Sequence, residues 1–193
     1  MLDRLLQIDT ELLIFLNNLG SEQWDNFWFF LTNQFSWSPL FTFLLFLIFK
    51  KFGWKNGVLM LLFLVVLITF SDQFTNLIKN TFERLRPCNT EGVIQQIRHF
   101  NYKPSSYSFY SGHAASSMTF SFFIILLLKS YYKRIWFLML FPLLFGYSRI
   151  YLGVHYPLDI TVGYIAGLFF GYLFYLLQKK FKLTSKFSKK ITV

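Results

Sequence analysis

Two histidines stand where proton and phosphoryl chemistry could be done. His155 and Asp159 lie four residues apart in the stretch SRIYLGVHYPLD, Ser148 to Asp159. A carboxylate that accepts from one imidazole nitrogen leaves the lone pair of the other pointing outward, the tautomer that a nucleophile or base requires. His113 follows Ser111 and Gly112 at the opening of an apolar run. Ser111 is a natural N-cap and Gly112 permits close backbone approach, so a helix beginning here offers free N–H groups and a positive dipole end to an anion. Lys79, Arg86 and Arg149 add cations. Phosphoryl transfer demands positioning and stabilisation of charge on the equatorial oxygens, and three cations with a helix N-terminus supply both. Each feature alone has a plainer explanation, whether a snorkelling side chain, a common helix opening or an interfacial histidine with a capping aspartate. Their coincidence on one expected side of a membrane outweighs it.

The membrane follows from what must position these residues. Of 193 residues, 54% are hydrophobic and 22% aromatic, too apolar for an ordinary soluble domain of one domain's length. Five apolar segments, about 25–50, 55–79, 113–129, 134–151 and 158–178, approach the ~20 residues a spanning helix needs. Asn33, Gln34 and Pro39 interrupt the first. The opening twenty residues carry Asp3, Asp9 and Glu11 and no small-residue cleavage site, which suits a retained interfacial helix better than a signal peptide. The expected fold is therefore all-α: a polytopic transmembrane helical bundle of about five spans plus an N-terminal interfacial helix, residues 1–193 forming one domain. Gly163, Gly167 and Gly171 recur along one face of the last span, where another helix can approach closely.

Between the second and third spans lies an insert too polar to cross and too long to be a mere connector. Asp72, Asn76, Lys79, Glu83 and Arg86 would form a polar stripe leading into it, with Pro87 ending the helix before Arg86. Val93, Ile94, Ile97 and Tyr102 fit either an apolar lip for a lipid or a short amphipathic connector. The net charge of +10 comes in short clusters between apolar runs and belongs to no recognisable nucleic-acid module. Lys50, Lys51 and Lys55, then Lys129, Lys133 and Arg134, then Lys179, Lys180, Lys182, Lys186, Lys189 and Lys190 mark three cytoplasmic regions, the C-terminus among them. Alternation places the insert and the His155 loop on the non-cytoplasmic face. The insert is itself basic, with Lys79, Arg84, Arg86, Arg98 and Lys103, and an anionic substrate would explain that excess. Cys88 is the sole cysteine, so neither an internal disulfide nor a cysteine-rich zinc site is available.

Three motifs now stand in order: KNTFERLRP from Lys79 to Pro87, SGH from Ser111 to His113, and SRIYLGVHYPLD. This set resembles the signature of the type-2 phosphatidic acid phosphatase superfamily, membrane lipid phosphate phosphatases related to vanadium haloperoxidases, over about residues 70–175. Two departures are Tyr110, where the family often has proline, and five clear spans where well-known members have six. The resemblance implies that His155 attacks phosphorus to give a phosphohistidine, that Asp159 holds its ring, and that His113 protonates the leaving oxygen and then assists water. It also implies that Lys79, Arg86, Ser111, the Gly112 N–H and Arg149 grip the phosphate oxygens, with no metal and no cofactor.

The expected function is a lipid phosphate or diphosphate phosphohydrolase of a bacterial-type cytoplasmic membrane. Undecaprenyl diphosphate is the first substrate expected, ahead of phosphatidic acid, phosphatidylglycerol phosphate and lipid A phosphates. Its partners are then the lipid phosphate and the bilayer, without nucleic acid, and the oligomeric state is open. Two alternatives remain: a catalytically inactive membrane binding or transport protein, and a metal-dependent hydrolase using His113, His155, Asp159 and Glu83. The soluble haloperoxidases fit poorly with five spans.

Overall fold

The computed structural model describes residues 1–102 and 104–181; Lys103 and the tail lysines Lys182, Lys186, Lys189 and Lys190 lie outside them. The chain runs through α1 (Leu2–Asn18), α2 (Glu22–Thr32), α3 (Ser38–Phe82), α4 (Gly112–Leu128), α5 (Leu140–Tyr151) and α6 (Pro157–Lys180). No strand occurs among the described residues. Asn33 ends α2 in an extended conformation, and its side chain accepts from the Phe35 N–H at 3.0 Å. A 3₁₀ turn, Gln34–Trp37, leads into α3, whose first turn tolerates Pro39 because the missing N–H has no helical partner there. The first apolar segment is thus interrupted where its polar residues and proline fall.

Within α3, Gly53 adopts φ 72 and ψ 174, a backbone that glycine reaches without a steric penalty. It divides two apolar arms, and a Cβ at Gly57 would collide with the Phe49 ring, so the arms lie close at the break. Lys50, Lys51 and Lys55 surround it. The Lys51 ammonium sits 3.9 Å from the centre of the Tyr131 ring, which brings this bend beside the α4–α5 connection.

α4 is buried on nearly every side and is the centre of the bundle. Its main partner is α6. A Cβ at Gly163, Gly167 or Gly171 would come within 2.8, 2.7 or 2.9 Å of the carbonyl oxygens of Ser111, Ala115 and Thr119 respectively. Both series advance by one helical turn per step in the same sense, so α4 and α6 run parallel, glycine strip against backbone. Phe123, Ile124 and Leu128 pack with Leu64, Leu67, Phe141, Phe170 and Phe174 to complete the core. Outward, Leu62, Val65, Val66, Ile165 and Phe169 are exposed, which suits lipid rather than water. The stretch Gln34–Asn89 and α6 are long and apolar enough to cross a bilayer, at mean hydropathies of 2.1 and 1.8, and Gly112–Leu128 is apolar but shorter.

One expectation needs correction. The segment 134–151 is not one α-helix but a 3₁₀ stretch, Lys133–Met139, followed by the short α5. Pro142 has no N–H to give the Leu138 carbonyl, so regular α-helical bonding starts late. Of Val93, Ile94, Ile97 and Tyr102, only Tyr102 borders the catalytic-end cavity. Val93 and Ile97 are buried against Leu13, Ile150 and Tyr156, because the insert folds down under α1 and buries its aliphatic side chains there; Ile94 stays half-buried.

Candidate active site

Three helix ends and one loop converge at the end of the bundle away from the lysine-flanked bends. α3 delivers Lys79 in its last turn and stops at Phe82, Glu83 taking φ 48 as the chain leaves the helix. Arg86 follows in extended backbone, φ −76 and ψ 152, as a residue before proline should. Ser111 caps α4, its hydroxyl accepting from the Ala114 N–H at 3.4 Å. Its own N–H donates to the Asp159 carbonyl at 3.1 Å, which joins the openings of α4 and α6. α5 carries Arg149 in its last turn, and the turn after the helix, with Gly153 at φ 65, brings His155 in just ahead of α6.

Around His155 every polar bond has a direction. Its Nε2 lies 3.0 Å from Arg86 Nη1. A guanidinium can only donate, so Nε2 is the unprotonated acceptor and the ring proton is on Nδ1. Nδ1 faces Asp159 Oδ2 at 3.3 Å and the Ser108 hydroxyl at 3.4 Å. Asp159 Oδ2 also accepts from the Tyr156 N–H at 2.9 Å and from the Ser108 hydroxyl, while Oδ1 accepts from Arg84 Nη1 at 2.8 Å. Burial, then the charges of Arg86, Lys79 and Arg149, hold the His155 pKa well below its ordinary value, so the ring is neutral.

The cations are fixed mainly by carbonyls. Lys79 Nζ donates to the Tyr107 carbonyl at 2.6 Å. Arg86 donates to the Ser106 carbonyl at 2.6 Å, the Ser106 hydroxyl at 2.9 Å and the Val154 carbonyl at 2.9 Å. Burial and the nearby Arg149 charge lower its pKa to about 10, still fully charged at neutral pH. Arg149 Nη1 donates to Thr32 Oγ1 at 2.6 Å, and its Nε, though buried, has no protein partner.

These groups surround a cavity of about 300 Å³ lined by Lys79, Arg86, Gly112, His113, Arg149 and His155. Asp72, Asn76 and Tyr102 reach it too. Ser111 and Asp159 do not: Ser111 is fully buried as a cap and Asp159 lies behind His155. Glu83, expected in the polar stripe, is exposed at the helix end and off the cavity wall, because the turn at φ 48 carries it away. Among the described residues no three His, Cys, Asp or Glu side chains are grouped as metal ligands. A second, mostly apolar cavity of about 270 Å³ shares Gln34, Ser116 and Phe145 with the first and is otherwise lined by side chains such as Phe41, Ile68 and Phe120.

The model of the PAP2 superfamily matches residues 57–183, about two thirds of the chain and all three motifs. The chain belongs to the PAP2 superfamily. It is 35% identical over 183 residues to the lipid A 4'-phosphatase of Bacteroides thetaiotaomicron, covering 93% of this chain and 81% of that one. It is 31% identical to an undecaprenyl-diphosphatase of Sulfolobus acidocaldarius, over 84% of this chain and 67% of the other. Its fold is similar to the crystal structure of a transmembrane PAP2-type phosphatidylglycerolphosphate phosphatase from Bacillus subtilis, with a TM-score of 0.73 at 20% identity, covering 93% of this chain and 88% of that one. This PAP2 chain is thus a membrane protein and a phosphate hydrolase of the lipid phosphatase type.

Three residues of the site escaped the sequence reading in this role. Arg84 stood out only as one of several basic residues in the insert, Ser108 gave no signal, and Asp9 counted only as an acidic residue that speaks against a signal peptide.

Proposed function

We propose that this PAP2 enzyme cleaves a lipid phosphate through a phosphohistidine on His155. The observation that carries the reading is the Arg86–His155 contact, since it fixes the Nε2 lone pair on the cavity side with the proton held on Nδ1 toward Asp159. Nε2 attacks phosphorus, the bond from phosphorus to the lipid oxygen breaks, and its electron pair leaves with that oxygen. His113, the other imidazole on the wall, protonates the leaving oxygen. Water then attacks the phosphohistidine as His113 takes a proton from it, the N–P bond breaks, and phosphate departs. Lys79, Arg86, the Gly112 N–H and the unpartnered Arg149 Nε hold the non-bridging oxygens. Ser111 serves this arrangement by capping α4 rather than by touching phosphate. No metal ion takes part in these steps.

The substrate that the relatives favour is a lipid A type glycolipid phosphate rather than undecaprenyl diphosphate. The lipid A 4'-phosphatase match has the higher identity and covers more of both chains. The adjoining apolar cavity would take hydrocarbon next to the headgroup. In the bilayer the two arms of α3, then α4, α5 with its 3₁₀ lead, and α6 make about five crossings, and α1 lies at the interface. The lysine-flanked end is cytoplasmic and the catalytic cavity opens on the other face.

Phosphate release from a panel of lipid A phosphate, undecaprenyl diphosphate, phosphatidic acid and phosphatidylglycerol phosphate tests both parts. The highest kcat/KM is expected on lipid A phosphate, unaffected by excess chelator. A higher value on undecaprenyl diphosphate would reverse the substrate assignment. Turnover by His155→Ala would remove the mechanism.

A further inference from the structure

The segment from Ile150 to Asp159 carries the proposed nucleophile, and α1 grips both of its ends. At the first, Asn17 Nδ2 lies 3.1 and 2.8 Å from the Ile150 and Tyr151 carbonyls, which close α5. The same side chain binds the Arg98 backbone, Nδ2 to its carbonyl at 3.2 Å and Oδ1 from its N–H at 2.7 Å. At the second end, Asp9 Oδ1 accepts at 2.7 Å from the Leu158 N–H, one of the free donors that open α6. Asp9 Oδ2 accepts from Arg84 Nη2 at 2.7 Å, and Arg84 Nη1 passes on to Asp159 Oδ1 at 2.8 Å. The guanidinium lies 3.8 Å from the centre of the Tyr156 ring, which leaves it little room to turn. Asp9, Leu13 and Asn17 are the buried residues of α1, one turn apart each, while Leu5, Ile8, Leu12 and Phe15 on its other sides are exposed.

We infer that α1 clamps the nucleophile loop and that Asp9 and Arg84 are positioning residues, acting on His155 through Asp159. The reason is geometric. With one oxygen of Asp159 bound by Arg84, the carboxylate cannot rotate, and the other oxygen is left to orient the imidazole. A displacement of about 1 Å at a reacting atom can cost on the order of 10²-fold in rate. A buried carboxylate such as Asp9, 5% exposed, persists only when its bonds are satisfied, and here both oxygens are used on the site. Asp9 and Asn17 lie outside residues 57–183 that carry the family match, and Arg84 lies between its motif positions. The inference rests on His155 as the nucleophile.

Kinetics of purified variants on an aryl phosphate and on lipid A phosphate test it. Arg84→Gln should lower kcat about 10- to 100-fold with KM little changed, because substrate contacts remain while the attacking ring loses its orientation. Arg84→Lys, which keeps the charge and one of the two bonds, should recover part of that loss. Asp9→Asn retains an acceptor for the Leu158 N–H and loses the charge facing Arg84; about a tenfold fall in kcat is expected, again without a matching rise in KM. If Arg84→Gln does not accumulate, Asp9→Asn carries the test. Wild-type kcat in Asp9→Asn or Arg84→Gln would overturn the inference, as would a loss seen only in melting temperature or only in KM. His155→Ala is run alongside: its turnover would remove the underlying mechanism, whereas an inactive His155→Ala beside unimpaired Asp9 and Arg84 variants would remove only the clamp.

Discussion

Arg149 is almost wholly buried, yet its bonding is incomplete: Thr32 takes one nitrogen, Tyr102 lies at 3.4 Å from another, and Nε is left for a ligand. A buried N–H without a partner costs about 1–3 kcal/mol, which a phosphate oxygen would offset. Arg149→Lys keeps the charge but loses the planar fork, so kcat/KM should fall about 10²-fold at unchanged protein level. A fully active variant would remove Arg149 from phosphate binding. The two histidines separate by leaving group. His155→Ala should be inactive on every substrate, while His113→Ala should retain relatively more activity on an aryl phosphate, whose leaving group departs unprotonated, than on a lipid phosphate. Equal losses on both substrates for His113→Ala would show that it is not the acid. Lys79, Arg86, His113, Arg149 and His155, which line one cavity, were legible as candidates because they sit in short motifs of local spacing with Pro87, Gly112 and Asp159. Arg84 and Asp9 were not, since their partners lie 75 residues away and only the fold makes the contact. The cap expected at Ser111 is likewise local, a serine at a helix opening accepting from the Ala114 N–H.

Elements follow the same division between local and long-range causes. The break at Asn33, the start of α4 at its serine cap and the start of α6 at Pro157 are local chemistry and stand where the residues suggest, whereas α3 stops at Phe82, short of the end before Arg86 that Pro87 suggested. The 3₁₀ lead into α5 and the burial of Val93 and Ile97 depend on what packs above them and were invisible at short range. The glycine strip on α6 was legible as spacing, and the structure supplies its partner, the carbonyl edge of α4. At Gly167 a Cβ would sit 2.7 Å from both the Ala115 carbonyl oxygen and the Met118 Cβ, neither of which is the far end of a flexible side chain. Gly167→Leu should therefore force the two helices apart and lower the thermal midpoint in detergent by several degrees, a destabilisation of about 1–3 kcal/mol or more. Because α4 and α6 carry His113 and Asp159 at their openings, activity should fall before the fold is lost. An unchanged midpoint would mean that the strip is not a packing surface.

At the scale of the whole molecule the charges have two destinations. One end gathers Lys50, Lys51 and Lys55 with Lys129, Lys133 and Arg134, as the Lys51–Tyr131 contact requires. α6, parallel to α4, brings Lys179 and Lys180 toward the same end. The other end gathers Lys79, Arg84, Arg86, Arg98 and Arg149, all turned to carbonyls, carboxylates or the cavity. Counting all of these equally blurs the positive-inside rule; with those committed to the site set aside, the rule predicts that the exposed lysines face the cytoplasm. Cys88 is buried, which allows single exposed cysteines to report sidedness. Glu91→Cys, on the insert, should react with a membrane-impermeant maleimide in intact cells, whereas Lys50→Cys and Lys129→Cys should react only after permeabilisation; all three positions are exposed. Labelling of Lys129→Cys and Glu91→Cys from the same side would break the arrangement, because α4 would then have to return without crossing. With the expected pattern, the enzyme meets its phosphate outside the cytoplasm, and a substrate made inside must first be carried to the outer leaflet.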